Sequence, residues 1–297
     1  MNIFKLQPDS NPIHWPLTRE LYIEKTEKKK PFFSYGDDGK MRHYAVCPAC
    51  NNPVQVIGLM EQPDEGSLYA KHVPKSILGL ATYRQAAYIC CPLAAKNRIQ
   101  AEKNAKKPLG DDLAPQILRI VKEHFDRIIL VLQKSIGIFI SKKLSEELLE
   151  DYIAEEGYRY RYASLLNIPW MLAYFARSKS LVGRIFFDDS MRQEILEHIP
   201  QATFSDGKLC KKEKEFLQVS VYFSKHGIQP KDNEIEESIN MVITNEKNRQ
   251  SSVVMKRKIV FDYEIFTYFL NIPEGKGKRN QDFLDVAGSV LNQHPLL

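Results

Sequence analysis

Cys47-Pro48-Ala49-Cys50 opens the stretch that decides the fold of this chain. A spacer of 21 residues leads to His72, and the stretch ends at the adjacent pair Cys90 and Cys91, so four of the five cysteines lie within 45 residues. The two-residue gap lets a tight turn present both sulfurs of the first pair to one ion, and thiolates with an imidazole suit tetrahedral Zn²⁺. The sequence therefore predicts a zinc site made of Cys47, Cys50, His72 and one cysteine of the second pair.

Cys91 is the predicted fourth ligand, in preference to Cys90. Both Cys47 and Cys91 precede a proline, whose fixed φ would begin two turns of similar shape. His43 is an alternative to His72, although a lone histidine near aromatic residues more often makes ordinary hydrogen bonds. A redox pair, core packing or a catalytic metal are the other interpretations of the cysteines. A catalytic zinc needs an open position, which three thiolates and a histidine do not leave.

Short antiparallel strands are expected around these ligands. A turn at Gly36-Asp37-Asp38-Gly39 separates strand-like flanks at 32–35 and 41–46. Further strand-like runs at 54–59 and 68–72 enclose a hairpin tip at 63–67. The pattern then predicts a helix over 93–107.

The run Cys47-Pro48-Ala49-Cys50, Pro53-Val54, Gly58 and Tyr69-Ala70-Lys71-His72 resembles the N-terminal zinc module of competence CoiA-like proteins. The similarity covers about residues 43–93 and implies a DNA-associated setting, with a nuclease domain further along the chain. This chain has a single histidine where that family's pattern has a second one.

Basic residues concentrate in the same part of the chain. The net charge is +5, and residues 1–110 contain 16 Lys and Arg against 10 Asp and Glu. Lysine clusters on both sides of the cysteine stretch could neutralise phosphates, or they could form an ordinary solvated surface. The predicted nucleic-acid contacts are Lys28, Lys29, Lys30, Lys71, Lys75, Lys96, Arg98, Lys103, Lys106 and Lys107.

An α+β fold is predicted from the whole pattern, with a zinc-knuckle and hairpin module, a helical middle and a small C-terminal antiparallel sheet. The expected domains are 1–110, 111–207 and 208–297. Apolar residues at steps of three and four predict a long helix over 115–136. Shorter helices are expected at 145–156, 165–175 and 190–199, and strands at 216–223, 238–244 and 253–261.

The predicted function is binding of nucleic acid, DNA in preference to RNA, by a zinc-stabilised, non-catalytic protein within a larger bacterial or phage-associated assembly with protein partners. A metal-dependent nuclease is the first alternative, built on His72 with Asn97 or on Asp262 with Glu274 and Lys276. A protein-interaction scaffold is the second. The sequence lacks a secretory signal and any apolar run of membrane-spanning length, so we expect a cytoplasmic protein without a membrane partner.

Overall fold

The N-terminal part of the chain forms short antiparallel strands, as the turn and strand patterns predicted. The computed structural model describes residues 1–9, 13–36, 38–61, 68–94, 99–100, 102–231, 234–247, 250–273 and 275–297. The first elements are β1 (Ile3–Phe4), β2 (Trp15–Pro16), α1 (Arg19–Thr26), β3 (Phe33–Tyr35), β4 (Met41–Val46), β5 (Pro53–Ile57), β6 (Tyr69–His72) and α2 (Gln85–Ile89). β3 to β6 form one antiparallel sheet in chain order, and the predicted hairpin tip at 63–67 lies outside the described residues.

A long helix dominates the middle of the chain. The elements here are β7 (Ile99–Gln100), α3 (Leu113–Ile136), α4 (Lys142–Ala154), α5 (Ile168–Phe175), β8 (Lys179–Ser180), α6 (Asp189–His198), β9 (Ala202–Ser205) and β10 (Lys208–Lys211). α3 ends at Gly137, which adopts a left-handed φ of 71° and closes the last turn by donating to the Gln133 carbonyl. The N-cap of α4 is Ser141, and Ser145 lies buried inside the helix.

The C-terminal sheet is longer than predicted. β11 (Val219–Lys231), β12 (Glu234–Lys247) and β13 (Gln250–Val260) form consecutive antiparallel pairs, followed by α7 (Tyr263–Leu270) and α8 (Gln281–Leu291). The sheet order is β13, β12, β11, β7, and β8 also pairs with β11. The aromatic-rich segment that follows β13 forms α7.

The helix predicted over 93–107 is wrong for the residues that the structure describes. Pro92–Ala94 is a single 3₁₀ turn, and residues 95–98 are not among the described ones. Ile99 pairs with Ile228 of β11, so this segment is a strand of the C-terminal sheet. Pairing with a distant strand outweighed a local composition that suits a helix.

One hydrophobic core runs through all three predicted domains. Its buried side chains extend from Ile3 and Ala45 of the N-terminal strands to Leu291 of α8. α3 packs against α5, α7 and α8, and β7 joins the first predicted domain to the last. The cysteine-containing sheet is therefore packed against the rest of the protein.

A buried polar network lies at the centre of this core. A bulge between Ser224 and Gly227 of β11 accompanies the burial of His226, whose Nε2 lies 2.7 Å from Glu237 Oε1. Tyr160 Oη lies 2.8 Å from His226 Nδ1, and the Tyr263 hydroxyl donates to Glu237. Tyr160 is fully buried, so its hydroxyl reaches His226 inside the core.

We expect Ile129→Ala to destabilise the protein by about 2–5 kcal/mol, because this fully buried side chain of α3 leaves a cavity when it is truncated. Urea unfolding followed by circular dichroism measures the change. Lys122→Ala, at an exposed position of the same helix, should change stability by no more than about 0.5 kcal/mol. Equal destabilisation by the two substitutions would contradict the assignment of Ile129 to the buried side of α3 and Lys122 to its exposed side.

Candidate metal centre

Three separate elements bring the four predicted metal ligands together. Cys47 and Cys50 lie in the turn between β4 and β5, and His72 is the last residue of β6. Cys91 lies two residues after the end of α2. The ligand atoms of these four side chains all lie within 4.8 Å of one another. The group could therefore hold a single metal ion.

Two of the distances between these ligand atoms are close to those expected for tetrahedral coordination. Cys47 Sγ lies 3.7 Å from Cys91 Sγ, and Cys50 Sγ lies 3.4 Å from His72 Nε2. Bonds of about 2.3 Å from a tetrahedral zinc place two sulfurs about 3.8 Å apart. A disulfide would need about 2.05 Å, so Cys47 and Cys91 are placed as ligands and not as a covalent pair.

The turn that carries the first two ligands is held by its own backbone and by Asn52. Cys47 N donates to the Asn52 carbonyl at 2.8 Å, and Asn51 N donates to the Cys47 carbonyl at 3.0 Å. Asn51 has a left-handed φ of 59°, which asparagine tolerates better than most residues. Asn52 Nδ2 donates to Cys50 Sγ at 3.4 Å, so an uncharged side chain helps to hold one sulfur in place.

Arg84 connects this turn to the segment that carries Cys91. Its backbone N donates to Asn52 Oδ1 at 2.6 Å, and its guanidinium donates to the Cys50 carbonyl. The same guanidinium forms an ion pair with Asp112, the N-cap residue of α3. No local sequence signal identifies Asn52 or Arg84, because their roles depend on contacts between segments about 30 residues apart.

Burial disfavours three negatively charged thiolates at this site unless positive charge balances them. Burial raises the pKa of both Cys50 and Cys91, and the neighbouring Cys47 raises them further. Burial also opposes ionisation of Cys47, but hydrogen bonds from the other two cysteines and the charge of His72 hold its pKa well below the usual value. Burial lowers the pKa of His72, but Cys47 and Cys50 together outweigh this effect and raise that pKa to about 10. These shifts favour ionisation of Cys47 beside a protonated His72 and oppose ionisation of Cys50 and Cys91.

Cys90 lies outside the group of four converging side chains, which contains Cys91 instead. Its side chain is buried, and it is not among the four residues whose ligand atoms converge. Burial raises the pKa of its thiol, partly offset by the charges of Lys107 and Arg161. His43 also lies apart, packed edge-on against Phe33 at 4.7 Å between ring centres.

The predicted nucleic-acid residues divide into two groups. Lys28, Lys29, Lys30, Lys71 and Lys75 are exposed on or near the N-terminal sheet, although Lys29 pairs with Glu27. Lys96 and Arg98 lie outside the described residues. The remaining three, Lys103, Lys106 and Lys107, follow β7 and contact the helical part of the protein.

Lys107 is a correction to the predicted nucleic-acid surface. It is only 2% exposed, and its ammonium donates to the Ala163 carbonyl at 2.6 Å beside Asp111. Lys106 donates to the Glu155 carbonyl and lies over the Phe175 ring, and Lys103 lies over the Tyr174 ring. Lys107 is thus unavailable to phosphate, and Lys103 and Lys106 are partly engaged with the protein.

The alternative nuclease residues do not form a second site in the described part of the chain. His72 faces the cysteines, and Asp262 is the N-cap of α7, accepting from Ile265 N at 2.9 Å. Asn97 and Glu274 lie outside the described residues. Among the residues that are described, the four ligands above form the only convergent group of histidine, cysteine and carboxylate side chains.

Comparison of the chain with protein-family models, with curated proteins and with solved structures found no match in any of the three searches. The similarity to the CoiA-like module therefore stays a prediction. Within the described ranges, no helix combines the length and apolar character that crossing a bilayer requires.

Two neighbouring cysteines provide a matched test of the ligand set. We expect Cys91→Ser to abolish stoichiometric metal binding, because it removes one of four converging ligands, and Cys90→Ser to retain it. Elemental analysis of both purified variants gives the metal content per chain. Metal loss in Cys90→Ser with retention in Cys91→Ser would contradict the assignment.

Proposed function

We propose that this protein binds one structural Zn²⁺ through Cys47, Cys50, His72 and Cys91, and that the zinc-stabilised sheet binds nucleic acid, preferentially DNA. The observation that carries the proposal is the alternation along β6. His72 lies on the metal-facing side of the strand, and neighbouring Lys71 lies on the opposite, solvent-facing side.

Zinc is the ion best suited to this set of ligands. Three sulfurs and one imidazole form a soft, closed tetrahedral shell, which favours zinc over magnesium or calcium and leaves no open position for a substrate. Two positive charges from the ion would largely balance three buried thiolates. The proposed ion therefore has a structural role.

The outer side of the N-terminal sheet supplies the proposed contact surface. The register places Tyr44, Gln55 and Lys71 side by side on this face, opposite the face of His72. The turn at 77–81 covers Tyr44 and Val46 and reaches the segment after α1, where Gly79 lies beside the Pro31 ring.

Four lysines surround this surface, which we call the basic outer face: Lys28, Lys30, Lys71 and Lys75. All four are exposed, and none forms an ion pair with a carboxylate in the described part of the chain. Unpaired, solvated ammonium groups can neutralise phosphates and release the counterions of a nucleic acid. The resulting affinity would fall steeply with salt.

Purified protein should contain one zinc per chain by elemental analysis. Removing the ion with a chelator should lower the melting temperature by roughly 10 °C or more, because binding energy at a structural zinc site is also folding energy. Re-addition of Zn²⁺ should restore the melting temperature, whereas Mg²⁺ should not. A metal-free protein with an unchanged melting temperature would contradict the structural role.

We expect reversal of the basic outer face (Lys28, Lys30, Lys71 and Lys75, each to Glu) to weaken binding to duplex DNA at least about tenfold at about 100 mM salt. Fluorescence anisotropy of a labelled duplex measures the affinity and its salt dependence. The matched control reverses four exposed lysines elsewhere, Lys122, Lys143, Lys211 and Lys212, and should bind nearly as tightly as the parent protein.

The same assay separates the alternatives. If both sets of charge reversals weaken DNA binding equally, the affinity depends on the net charge of the protein and not on the basic outer face. Co-purification of protein partners without salt-dependent DNA binding would favour the protein-interaction scaffold. Mg²⁺-dependent cleavage of plasmid DNA that is lost in Asp262→Ala or His72→Ala would favour the nuclease.

A further inference from the structure

Leu78 is the most exposed large apolar side chain in the described part of the chain. It is 97% exposed, at the tip of the turn that covers the basic outer face. Leu80, two residues further along the chain, is only 7% exposed and packs with Tyr44 and Val46. The turn therefore buries one leucine in the sheet and projects the other into solvent.

Hydrogen bonds hold this turn in one shape. Ile77 and Ala81 exchange backbone hydrogen bonds of 3.0 and 3.1 Å, and Leu80 N donates to the Ile77 carbonyl at 3.0 Å. Gly79 supplies the left-handed φ of 75° that lets the chain reverse directly after Leu78. At the base of the turn, Tyr83 N donates to Ser76 Oγ at 2.9 Å. Leu78 thus projects from a supported backbone.

The charges around the tip favour a polyanionic partner. Lys75 lies on the same segment, three residues before Leu78, and the Lys28 to Lys30 segment leads directly into Pro31, whose ring lies near Gly79. Lys28, Lys30 and Lys75 form no ion pair with a described carboxylate. A single apolar side chain among exposed ammonium groups is the arrangement of a protein that contacts phosphates while it places a wedge between bases.

We propose that Leu78 inserts between adjacent base pairs of duplex DNA while the neighbouring lysines contact the flanking phosphates. This inference rests on the proposed nucleic-acid function and adds a mode of binding to it. Apolar wedges of this kind partly unstack a base step and kink the duplex, and flexible pyrimidine–purine steps are the least costly to open. The bound DNA would be distorted at one step, without base-specific hydrogen bonds from the wedge.

Other partners fit this tip less well. One leucine supplies too little apolar area to anchor a protein on a lipid surface, where affinity grows with the buried apolar area. A stable protein interface likewise needs a larger contact patch than a single side chain. Stacking on single-stranded bases uses aromatic faces, which an aliphatic side chain does not offer.

The test uses the full-length zinc-loaded protein and a duplex containing 2-aminopurine at a central TA step, whose fluorescence rises when the base is unstacked. We expect the parent protein to raise this fluorescence. Leu78→Ala should abolish the rise and weaken binding about tenfold, since the apolar contact between Leu78 and the bases is lost. Leu109→Ala is the matched control, because Leu109 is also an exposed leucine, at 83%, but lies outside the N-terminal sheet.

The outcomes distinguish this inference from the function on which it rests. Salt-dependent DNA binding with no fluorescence rise, or with the same rise in Leu78→Ala, would overturn the wedge and leave the DNA-binding function standing. Absence of salt-dependent DNA binding by the parent would overturn both. Leu78-dependent binding to phosphatidylserine vesicles without DNA unstacking would also overturn the wedge. Zinc content and melting temperature should be equal in all three proteins, since both substituted side chains are exposed.

Discussion

The N-terminal part of the protein is organised around the convergence of three buried cysteine sulfurs and one imidazole in one small volume. The ligands come from a turn, a strand end and a segment after a short helix, so one ion would join parts of the chain up to 44 residues apart. The β-strands here are two to six residues long and bury little surface by themselves. Coordination would supply what short strands cannot, and this is the usual reason for a structural metal in a small module.

The same constraint reaches beyond the N-terminal sheet. Burial, Glu237 and, to a smaller extent, the charges of Cys91 and Cys47 raise the pKa of Tyr263 well above its usual value. Tyr263 therefore stays a neutral donor to Glu237, which also contacts His226 and accepts from Asn167. The cysteine cluster thus lies beside the polar centre of the C-terminal sheet. The shared core is consistent with this proximity, because the N-terminal sheet packs on the rest of the chain.

Residue chemistry predicted which four side chains the fold brings together, whereas surface and boundary predictions depended on tertiary contacts that local patterns do not contain. Cysteine spacing and repeated Cys-Pro steps indicated the group whose ligand atoms lie within 4.8 Å of one another, and strong periodicity identified α3. Composition at 93–107 suited a helix, but Ile99 pairs with β11 and Lys107 is buried against Ala163. A lysine that caps a distant carbonyl looks the same in sequence as one that faces solvent. α8 was missed although its apolar residues recur at helical spacing, at Phe283, Leu284, Val286, Ala287, Val290 and Leu291. Its partners, α3 and α4, are distant in sequence.

The geometry of β6 couples the proposed metal site to the proposed contact surface, although the two lie on opposite faces of the strand. Adjacent residues of a strand must point to opposite faces, so an ion that fixes His72 also fixes the direction of Lys71. A shift of β6 by one residue would turn the lysine inward and the histidine out. Coordination of His72 would prevent that shift, because only one register places the imidazole 3.4 Å from Cys50. Zinc would therefore determine which face is basic, even though the three cysteines are buried and His72 is half-buried on the other side of the sheet.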